Sequence, residues 1–314
     1  MNKLTTIIAF LNEGAEIERT VASIRETAGD NVDILLINDG SHDGMDYETV
    51  ARKYNARYHV NSIRLGAGPA KNLGTELCET PYFILFDGHM RFYHNDWWNE
   101  TVNALENNDR AVYCLRCFPL DEQYQLMKKS SLGAYIQMFD TPEHKVLEPA
   151  WLYGDEKAGI SSIQIPCVLG ASYAASKRYW QYIAGYTGLR TCGCEEAYIS
   201  LKTWLEGGTC ILLKNLKVGH IFRKEFPYSI SSIDFMYNKL MMAETLLPIK
   251  YKNIAFSDIH RSNPGEYEKA MSLLISDSKL ITELKTYYKQ IFTRDIDSFI
   301  EFNQSSILWG KKQV

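Results

Sequence analysis

The stretch Pro81-Tyr-Phe-Ile-Leu-Phe86, followed by Asp87-Gly88-His89, decides how this chain folds. A mostly apolar, β-prone run after a Thr-Pro break predicts a buried strand of a parallel sheet. Such a strand cannot hold a carboxylate and an imidazole in its middle, so Asp87 and His89 belong at its carboxyl end. Residues two apart in extended chain point to the same side. Asp87 and His89 therefore aim an oxygen and a nitrogen at one point, with Gly88 leaving room for a ligand. This is a metal-site geometry at the edge where open α/β sheets bind ligands.

Strands and helices alternate around this stretch. The sequence patterns predict strands at 4–10, 32–37, 57–60, 111–118, 209–213 and 216–220, and a pair of strands at 163–173 that is broken at Pro166 and Gly170. Helices are predicted at 14–27, 43–54, 66–74 and onward, 95–107, 176–183 and 193–206. This alternation indicates an α/β fold with a mostly parallel, twisted, Rossmann-like sheet and helices on both faces. Residues 119–162 show no regular strand or helix pattern. Beyond Pro227 the sequence predicts helices to the end, with breaks near Pro248 and Pro264. We therefore expect a main domain at 1–230 and a helical C-terminal extension at 231–314.

Composition excludes several classes of protein. The chain has 314 residues, 46% hydrophobic and 23% charged, with a net charge of −4. These values are typical of a globular protein and argue against a nucleic-acid partner. Neither a signal peptide nor a membrane-spanning run is predicted. Seven scattered cysteines favour reduced thiols and a cytoplasmic location over a disulfide framework.

Two further segments at strand ends have both a functional and a structural interpretation. Asp39 ends a strand as Asp87 does, and two carboxylates at neighbouring strand ends can hold a nucleotide. The sequence Asn38-Asp-Gly-Ser41 is also ideal for a plain turn, which is the structural interpretation. Gly66-x-Gly68 fails as a dinucleotide fingerprint because position 71 is Lys71 rather than glycine. With Arg64 and Lys71 nearby, this helix start can hold an anion. The alternative is a close-packed helix entry.

The second half of the chain supplies candidates for proton transfer and for a lid. Glu195 and Glu196 are adjacent at a helix start. In a partly buried cleft two such carboxyl groups would have different pKa values, and one of them could accept a proton near neutral pH. Their preference for a helix start is the plain alternative. His220 ends a strand, and Arg223 and Lys224 follow on an aromatic-rich loop. Cations on such a loop suit a lid that closes over a diphosphate.

These pieces in this order resemble the metal-dependent glycosyltransferases of the GT-A fold. The first half is similar to the large family 2, through Asn12-Glu13, Asn38-Asp-Gly-Ser41 and Gly66-x-Gly-x-Ala-Lys-Asn-x-Gly74. The second half resembles the polypeptide N-acetylgalactosaminyltransferases. The matching motifs are Gly170-Ala-Ser-Tyr, Gly185-Tyr186, Gly193-Cys-Glu-Glu196, Trp204-x-x-Gly-Gly208, Val218-Gly-His-Ile-Phe-Arg-Lys224 and Pro227-Tyr228. Asp87-Gly-His89 stands where that family has Asp-x-His, and the resemblance covers roughly residues 4–230.

The resemblance implies a role for each matching position. Asp87, His89 and His220 would ligate Mn²⁺ or Mg²⁺, which would bridge the phosphates of a UDP-sugar donor. Glu195 would lie against the sugar and the acceptor. The remaining residues expected to bind the nucleotide sugar are Asn12, Glu13, Asp39, Arg64, Gly66, Lys71, Gly170, Arg223, Lys224 and Tyr228, with Asp87 shared between metal and nucleotide.

One position departs from the polypeptide transferases, which have Glu-Asn after the glycines and retain anomeric configuration. Inverting family 2 enzymes have Glu-Asp there, and the Asp is the base. With Glu195-Glu196 at this point, we expect inversion with Glu196 as the base, or else acceptor binding by that side chain. The other hypotheses are a retaining enzyme and a catalytically inactive nucleotide-sugar-binding module.

The resemblance leaves both substrates broad. The expected donor is a UDP-hexose or UDP-N-acetylhexosamine, and the acceptor is a glycan or a peptide hydroxyl. Residues 119–162 are interpreted as an insertion on the acceptor side. Peripheral contact with a membrane and the oligomeric state are left open.

Overall fold

The predicted strand forms at Tyr82–Phe86 in the computed structural model, which describes residues 2–139, 144–154, 162–223, 225 and 227–311. The strands are β1 (Leu4–Phe10), β2 (Asp33–Asn38), β3 (Arg57–Val60), β4 (Tyr82–Phe86), β5 (Met90–Phe92), β6 (Ala111–Pro119), β7 (Ser130–Gln137), β8 (Glu148–Gly154), β9 (Ser162–Ile165), β10 (Ser172–Ser176) and β11 (Thr209–His220). The helices are α1 (Glu16–Ala28), α2 (Tyr47–Lys53), α3 (Ala67–Leu77), α4 (Trp97–Asn107), α5 (Lys177–Tyr182), α6 (Glu195–Glu206), α7 (Ser232–Leu246), α8 (Ile249–Ser262), α9 (Pro264–Ser276), α10 (Ser278–Ile291) and α11 (Ile296–Lys311).

The central sheet has the order β3-β2-β1-β4-β10-β6-β11-β5, and β9 pairs with β11 outside this path. Strands β3, β2, β1 and β4 are parallel to one another, as are β6 and β11. Strand β10 runs antiparallel between β4 and β6. The carboxyl ends of β1, β2 and β4 therefore meet at one edge of the sheet, where Asp39 and Asp87 follow their strands. The α/β fold class is confirmed.

The core explains why β4 reads as an unbroken apolar run. Phe83, Ile84, Leu85 and Phe86 are all fully buried, because helices cover both faces of the sheet at this strand. The Phe86 ring packs edge-on against the rings of Phe92 and Trp97. A strand buried on both faces needs apolar side chains at every position, which is the pattern that the sequence shows.

The segment 119–162 is more ordered than the sequence pattern indicates. Strands β7 and β8 pair antiparallel within it, and β7 is attached to the rest of the fold by two mutual backbone hydrogen bonds between Ala134 and Cys167. The pattern was missed because β7 begins with buried Ser130 and Ser131 and has no polar-apolar alternation. Residues 140–143 and 155–161 lie outside the described part.

Two predicted strands are one. Residues 209–213 and 216–220 form the single strand β11, whose pairing with β6 shifts register between Leu213 and Lys217. A bulge of this kind adds residues without ending the strand, so it interrupts the sequence periodicity but not the sheet.

From Ser232 to Lys311 the chain is mainly helical, as predicted, and two of its breaks fall at Leu247-Pro248 and Asn263-Pro264, as expected. Further breaks occur at Asp277 and at residues 292–295. Helix α7 packs against α8, α9 and α10. Within the described residues, none of the helices is both long and apolar enough to cross a membrane.

Candidate active site

A cavity of about 350 Å³ opens at the sheet edge where β1, β2 and β4 end. Thirteen of the predicted site residues line it, namely Glu13, Asp39, Arg64, Gly66, Lys71, Asp87, His89, Gly170, Glu195, Glu196, His220, Arg223 and Tyr228. Asn12 is not among the lining residues, and Lys224 lies outside the described part of the chain. Side chains from distant parts of the sequence therefore converge on one concave site.

Asp87, His89 and His220 form the one cluster of candidate metal ligands found among the described residues. Their ligand atoms all lie within 4.8 Å of one another, and the two imidazole rings are 4.7 Å apart between centroids. A carboxylate oxygen and two imidazole nitrogens are a donor set that suits a divalent transition-metal ion such as Mn²⁺.

The backbone fixes the two histidines relative to each other. Strands β5 and β11 pair antiparallel, with His220 opposite Met90, and the Ile221 N–H donates to the His89 carbonyl at 3.2 Å. Asp87 follows β4, two residues earlier on the same turn. The sheet's own hydrogen bonds thus hold the metal ligands in place.

The His220 ring is poised for a ligand. Its Nε2 lies 3.3 Å from Asp87 Oδ2 but outside hydrogen-bonding geometry, so neither buried ring nitrogen has a hydrogen-bond partner among the described residues. Burial lowers the pKa of His220, although Asp87 opposes the shift, which favours the neutral, metal-binding form. An unsatisfied buried nitrogen is costly unless a ligand satisfies it. The residues present therefore fit a metal ion.

Glu13 connects a metal ligand to the lid. Its Oε2 lies 3.1 Å from His89 Nδ1 and also accepts from the Arg223 guanidinium. The contact leaves the other ring nitrogen of His89 facing the cluster. The Glu13 side chain also fills the space beside Gly88, where an added Cβ would lie 2.9 Å from Glu13 Cγ. Gly88 itself lines the cavity, and its missing side chain makes room for Glu13. The expectation that it leaves room for a ligand stays a prediction.

Lys71 is the buried cation of the cavity. Its Nζ lies 3.2 Å from Asp87 Oδ1, and only 7% of the residue is exposed. Burial lowers the pKa of Lys71, but Asp87 above all, with Glu196 and Glu195, raises it well above its usual value. Burial likewise disfavours the ionised form of Asp87, yet Lys71 and His220 hold the pKa of that carboxyl well below its usual range. Both groups are therefore charged at neutral pH.

The two glutamates at the start of α6 occupy different environments. Glu195 accepts a hydrogen bond from the Gly193 N–H at 2.8 Å, and its carboxylate packs against Gly68. Glu196 lies against Gly170, where an added Cβ would be 2.7 Å from Glu196 Oε1. Burial, reinforced by the charge of Glu195, raises the pKa of Glu196 to about 7, although Lys71 opposes the shift. Glu196 can therefore gain or lose a proton near neutral pH.

Asp39 also lines the cavity and holds the backbone of the loop before α3. Its Oδ1 accepts from Asn61 Nδ2 and from the Leu65 N–H, both at 2.8 Å, and its Oδ2 accepts from the Gly66 N–H at 2.7 Å. The carboxylate thereby fixes the loop that leads into α3. Contact between Asp39 and a uridine stays a prediction.

Gly66 is required by close packing. Its φ is +94°, and an added Cβ would lie 2.2 Å from Thr191 Cα. The Gly68 N–H donates to the Thr191 carbonyl at 3.0 Å. Of the two interpretations of this glycine-rich helix start, the close-packed entry is the one that the described contacts support, because the loop before α6 presses directly on it.

Asn12 and the lid residues make contacts around the mouth of the cavity. Asn12 accepts from the His42 N–H at 2.9 Å, and its amide reaches the Pro227 carbonyl at 3.5 Å. Arg64 donates to the Ser229 carbonyl at 2.9 Å and stacks on the Tyr228 ring. Their direct binding of a nucleotide sugar stays a prediction.

Sequence reasoning left several lining residues unassigned. Trp151, on β8, packs edge-on against Phe222 with centroids 5.4 Å apart, and Phe222 also packs on His220. Cys192 lines the cavity just before the glutamates. Cys192 is next to Gly193, and Phe222 lies two residues after His220. From the sequence, Trp151 fits a sugar, a peptide or ordinary packing, and only the fold brings it to the cavity.

Comparisons with known proteins agree with this architecture. Residues 5–155 match the profile of glycosyl transferase family 2. Polypeptide N-acetylgalactosaminyltransferase 12 of Mus musculus is 28% identical over 85% of the chain and 47% of its own length. The chain spans about half the length of the curated relatives it matches.

Two solved structures share the fold. The crystal structure of GalNAc-T7 with UDP, GalNAc and Mn²⁺ superposes with a TM-score of 0.72 at 22% identity, covering 96% of this chain and 56% of that one. S. aureus TarS 1–349 in complex with UDP-GlcNAc gives a TM-score of 0.54 at 11% identity, covering 98% of this chain and 89% of that one. The predicted GT-A fold is thereby confirmed.

Proposed function

We propose that the chain is a metal-dependent glycosyltransferase, because residues 5–155 match the profile of glycosyl transferase family 2 and the chain has the GT-A fold. It would move a hexose or an N-acetylhexosamine from a UDP-sugar to an acceptor hydroxyl. The observation that carries this proposal is the convergence of Asp87, His89 and His220, with unsatisfied His220 nitrogens, on the cavity that also contains Glu196.

Each group has a specific task in this proposal. Asp87, His89 and His220 hold a divalent cation, which when bound neutralises charge on a diphosphate leaving group. Arg223 and Lys224 bind the diphosphate from the lid, and Tyr228 covers it. These cations stabilise the charge that develops as the glycosidic bond breaks, and such electrostatic stabilisation is usually the largest contribution to catalysis.

We propose that Glu196 is the base and that the reaction inverts the anomeric centre. Glu196 takes the proton of the acceptor hydroxyl while the acceptor oxygen bonds to C1 and the bond from C1 to the diphosphate breaks. Its raised pKa supports this task, since a base works best when its pKa lies near the operating pH. Glu195, held by the hydrogen bond from the Gly193 N–H, would lie against the sugar and the acceptor.

A retaining reaction is the second candidate, because the curated relatives are polypeptide N-acetylgalactosaminyltransferases. Their name and the UDP-sugars of the two neighbouring structures give the first substrates to test, namely UDP-GalNAc and UDP-GlcNAc with a Ser/Thr peptide. Glycan acceptors form the second panel.

The experiment measures UDP release from each donor with Mn²⁺ and with EDTA, with and without acceptors. Mn²⁺-dependent release in the wild-type chain, lost in His220→Ala, supports the proposal. Binding of UDP without any turnover would instead indicate a nucleotide-sugar-binding module. Proton NMR of the product's anomeric centre separates inversion from retention.

A further inference from the structure

The loop 190–194, which delivers Glu195 and Glu196 to the cavity, has an unfavourable backbone conformation. The φ angles of Thr191, Gly193 and Cys194 are +33°, +112° and +69°. For Thr191 and Cys194, positive φ brings the side chain close to the backbone and costs on the order of 1–3 kcal/mol each. Such a loop keeps its shape only when its surroundings hold it there.

Asn238, on helix α7, supplies a buried clamp for this loop. Its side-chain oxygen accepts from the Arg190 N–H at 2.8 Å. Its amide nitrogen donates to the Arg190 carbonyl at 2.8 Å and the Gly193 carbonyl at 3.0 Å, with the Cys192 carbonyl at 3.4 Å. Asn238 has no exposed surface, so each of these bonds is protected from water.

Neighbouring residues of α7 hold the same loop. Asp234 accepts from the Thr191 hydroxyl at 3.1 Å. The Phe235 ring lies so close to Gly193 that an added Cβ would be 2.1 Å from it. On the other side the Thr191 carbonyl accepts from Gly68 of α3. The loop is therefore fixed between α7 and α3, and Glu195 and Glu196 follow it at once.

The metal ligands depend on other elements. Asp87, His89 and His220 are positioned by the ends of β4, β5 and β11. The two halves of the candidate site thus have different supports: the sheet holds the candidate metal ligands, and helices α7 and α3 hold the loop that precedes the two carboxylates.

We propose that Asn238 is a positioning residue, and that helix α7 acts through it to set the two glutamates of the acid-base site. This inference rests on the proposed function. The C-terminal extension is then a part of the catalytic apparatus, and Asn238 contributes to turnover without touching substrate.

The test compares Asn238→Asp with Asn303→Asp in the full chain. The first change keeps the size and the acceptor oxygen but replaces the donating amide by an oxygen that faces three carbonyls. Asn303 is a matched control, because it is also buried, at 3% exposed, and also bonds a backbone, accepting from the Ile136 N–H at 2.9 Å and donating to the Ile136 carbonyl at 2.8 Å. Asn238→Ala, which adds no charge, is the second variant where Asn238→Asp does not fold.

We expect Asn238→Asp to lower kcat at least about 10-fold, because a small misplacement of a catalytic group can cost up to about 10²-fold. Its affinity for UDP with Mn²⁺ should stay at the wild-type value, and its pH-rate profile should shift, since the surroundings of Glu196 change. Asn303→Asp should lower only the thermal midpoint. Equal kcat and equal pH profiles in the two variants would overturn the inference, as would a loss confined to UDP affinity.

Amide hydrogen exchange provides a readout that does not need turnover. Exchange of residues 190–196 should accelerate in Asn238→Asp and not in Asn303→Asp. If the wild-type chain releases no UDP from any donor, the proposed function fails. Amide hydrogen exchange of residues 190–196 then tests by itself whether Asn238 holds this loop. Unchanged exchange in Asn238→Asp would then overturn the inference as well.

Discussion

Glu13 Oε2 lies 3.1 Å from His89 Nδ1, so a residue of the first strand's loop orients a metal ligand that follows the fourth strand. Partners of this kind fix the tautomer and the orientation of a ligating imidazole. The same carboxylate pairs with Arg223 on the lid. A single side chain therefore connects a candidate metal ligand to Arg223, a residue of the predicted lid.

Glu13→Gln should weaken Mn²⁺ binding about 10- to 100-fold, the usual effect of losing such a partner. Isothermal titration with Mn²⁺ and UDP measures it. Glu16→Gln is the control, because Glu16 also forms ion pairs, one partly buried with Arg91 and one exposed with Arg19, but has none of the candidate metal ligands as its partner. Equal Mn²⁺ affinity in the two variants would contradict the role of Glu13.

His220→Ala should abolish the stabilisation that Mn²⁺ confers on the wild-type chain. At a concentration 100 times Kd, binding stabilises a folded protein by about 2.7 kcal/mol. Differential scanning fluorimetry with and without Mn²⁺ tests this prediction independently of activity. His94→Ala, on the exposed surface away from the cavity, is the control and should keep the full shift. A shift that persists in His220→Ala would remove this histidine from the site.

The rate of transfer should rise with pH through about 7, because burial and the charge of Glu195 raise the pKa of Glu196 to that value and the base acts only when ionised. Glu196→Gln should lose about 10²- to 10⁴-fold in kcat and with it this limb of the profile. Glu195→Gln removes the negative neighbour, so the limb should move to lower pH. A pH profile unchanged by Glu196→Gln would assign the proton transfer to another group.

Gly66→Ala should destabilise the fold by at least about 2 kcal/mol, since a strained φ costs on the order of 1–3 kcal/mol and the added Cβ also collides with Thr191. Gly14→Ala is the matched control, because Gly14 has φ +59° but nothing within 4 Å of the added Cβ. Its cost should stay near about 1 kcal/mol. Urea unfolding gives both values, and equal losses would mean that the contact with Thr191 is unimportant.

The main features of the site could be predicted because strand ends are readable from sequence. Asp39, Asp87 and His220 each follow an apolar run, and parallel strands bring their carboxyl ends to one edge. Glu195 and Glu196 could be placed at a helix start because carboxylates are favoured in the first turn of a helix. The seven cysteines are free thiols, as expected, and the compartment stays a prediction.

Long-range packing could not be read in this way. The space beside Gly88 is filled by Glu13, which is distant in sequence. At Gly66, a side chain is excluded by Thr191, in the second half of the chain. The hairpin of β7 and β8 has buried polar residues in place of an alternating pattern. Asn238 gave no signal at all, because a buried amide in a helix has no periodic signature and its partners lie on a loop that precedes α6.

The antiparallel ladder between β5 and β11 has one more consequence. The ladder sets the positions of His89 and His220 within the central sheet, whereas β7 and β8 pair with each other in a separate two-stranded sheet. That hairpin brings Trp151 to the cavity, where its ring packs against Phe222, and Phe222 in turn packs on His220. A change in the hairpin at Trp151 would therefore reach His220 through a single intervening ring.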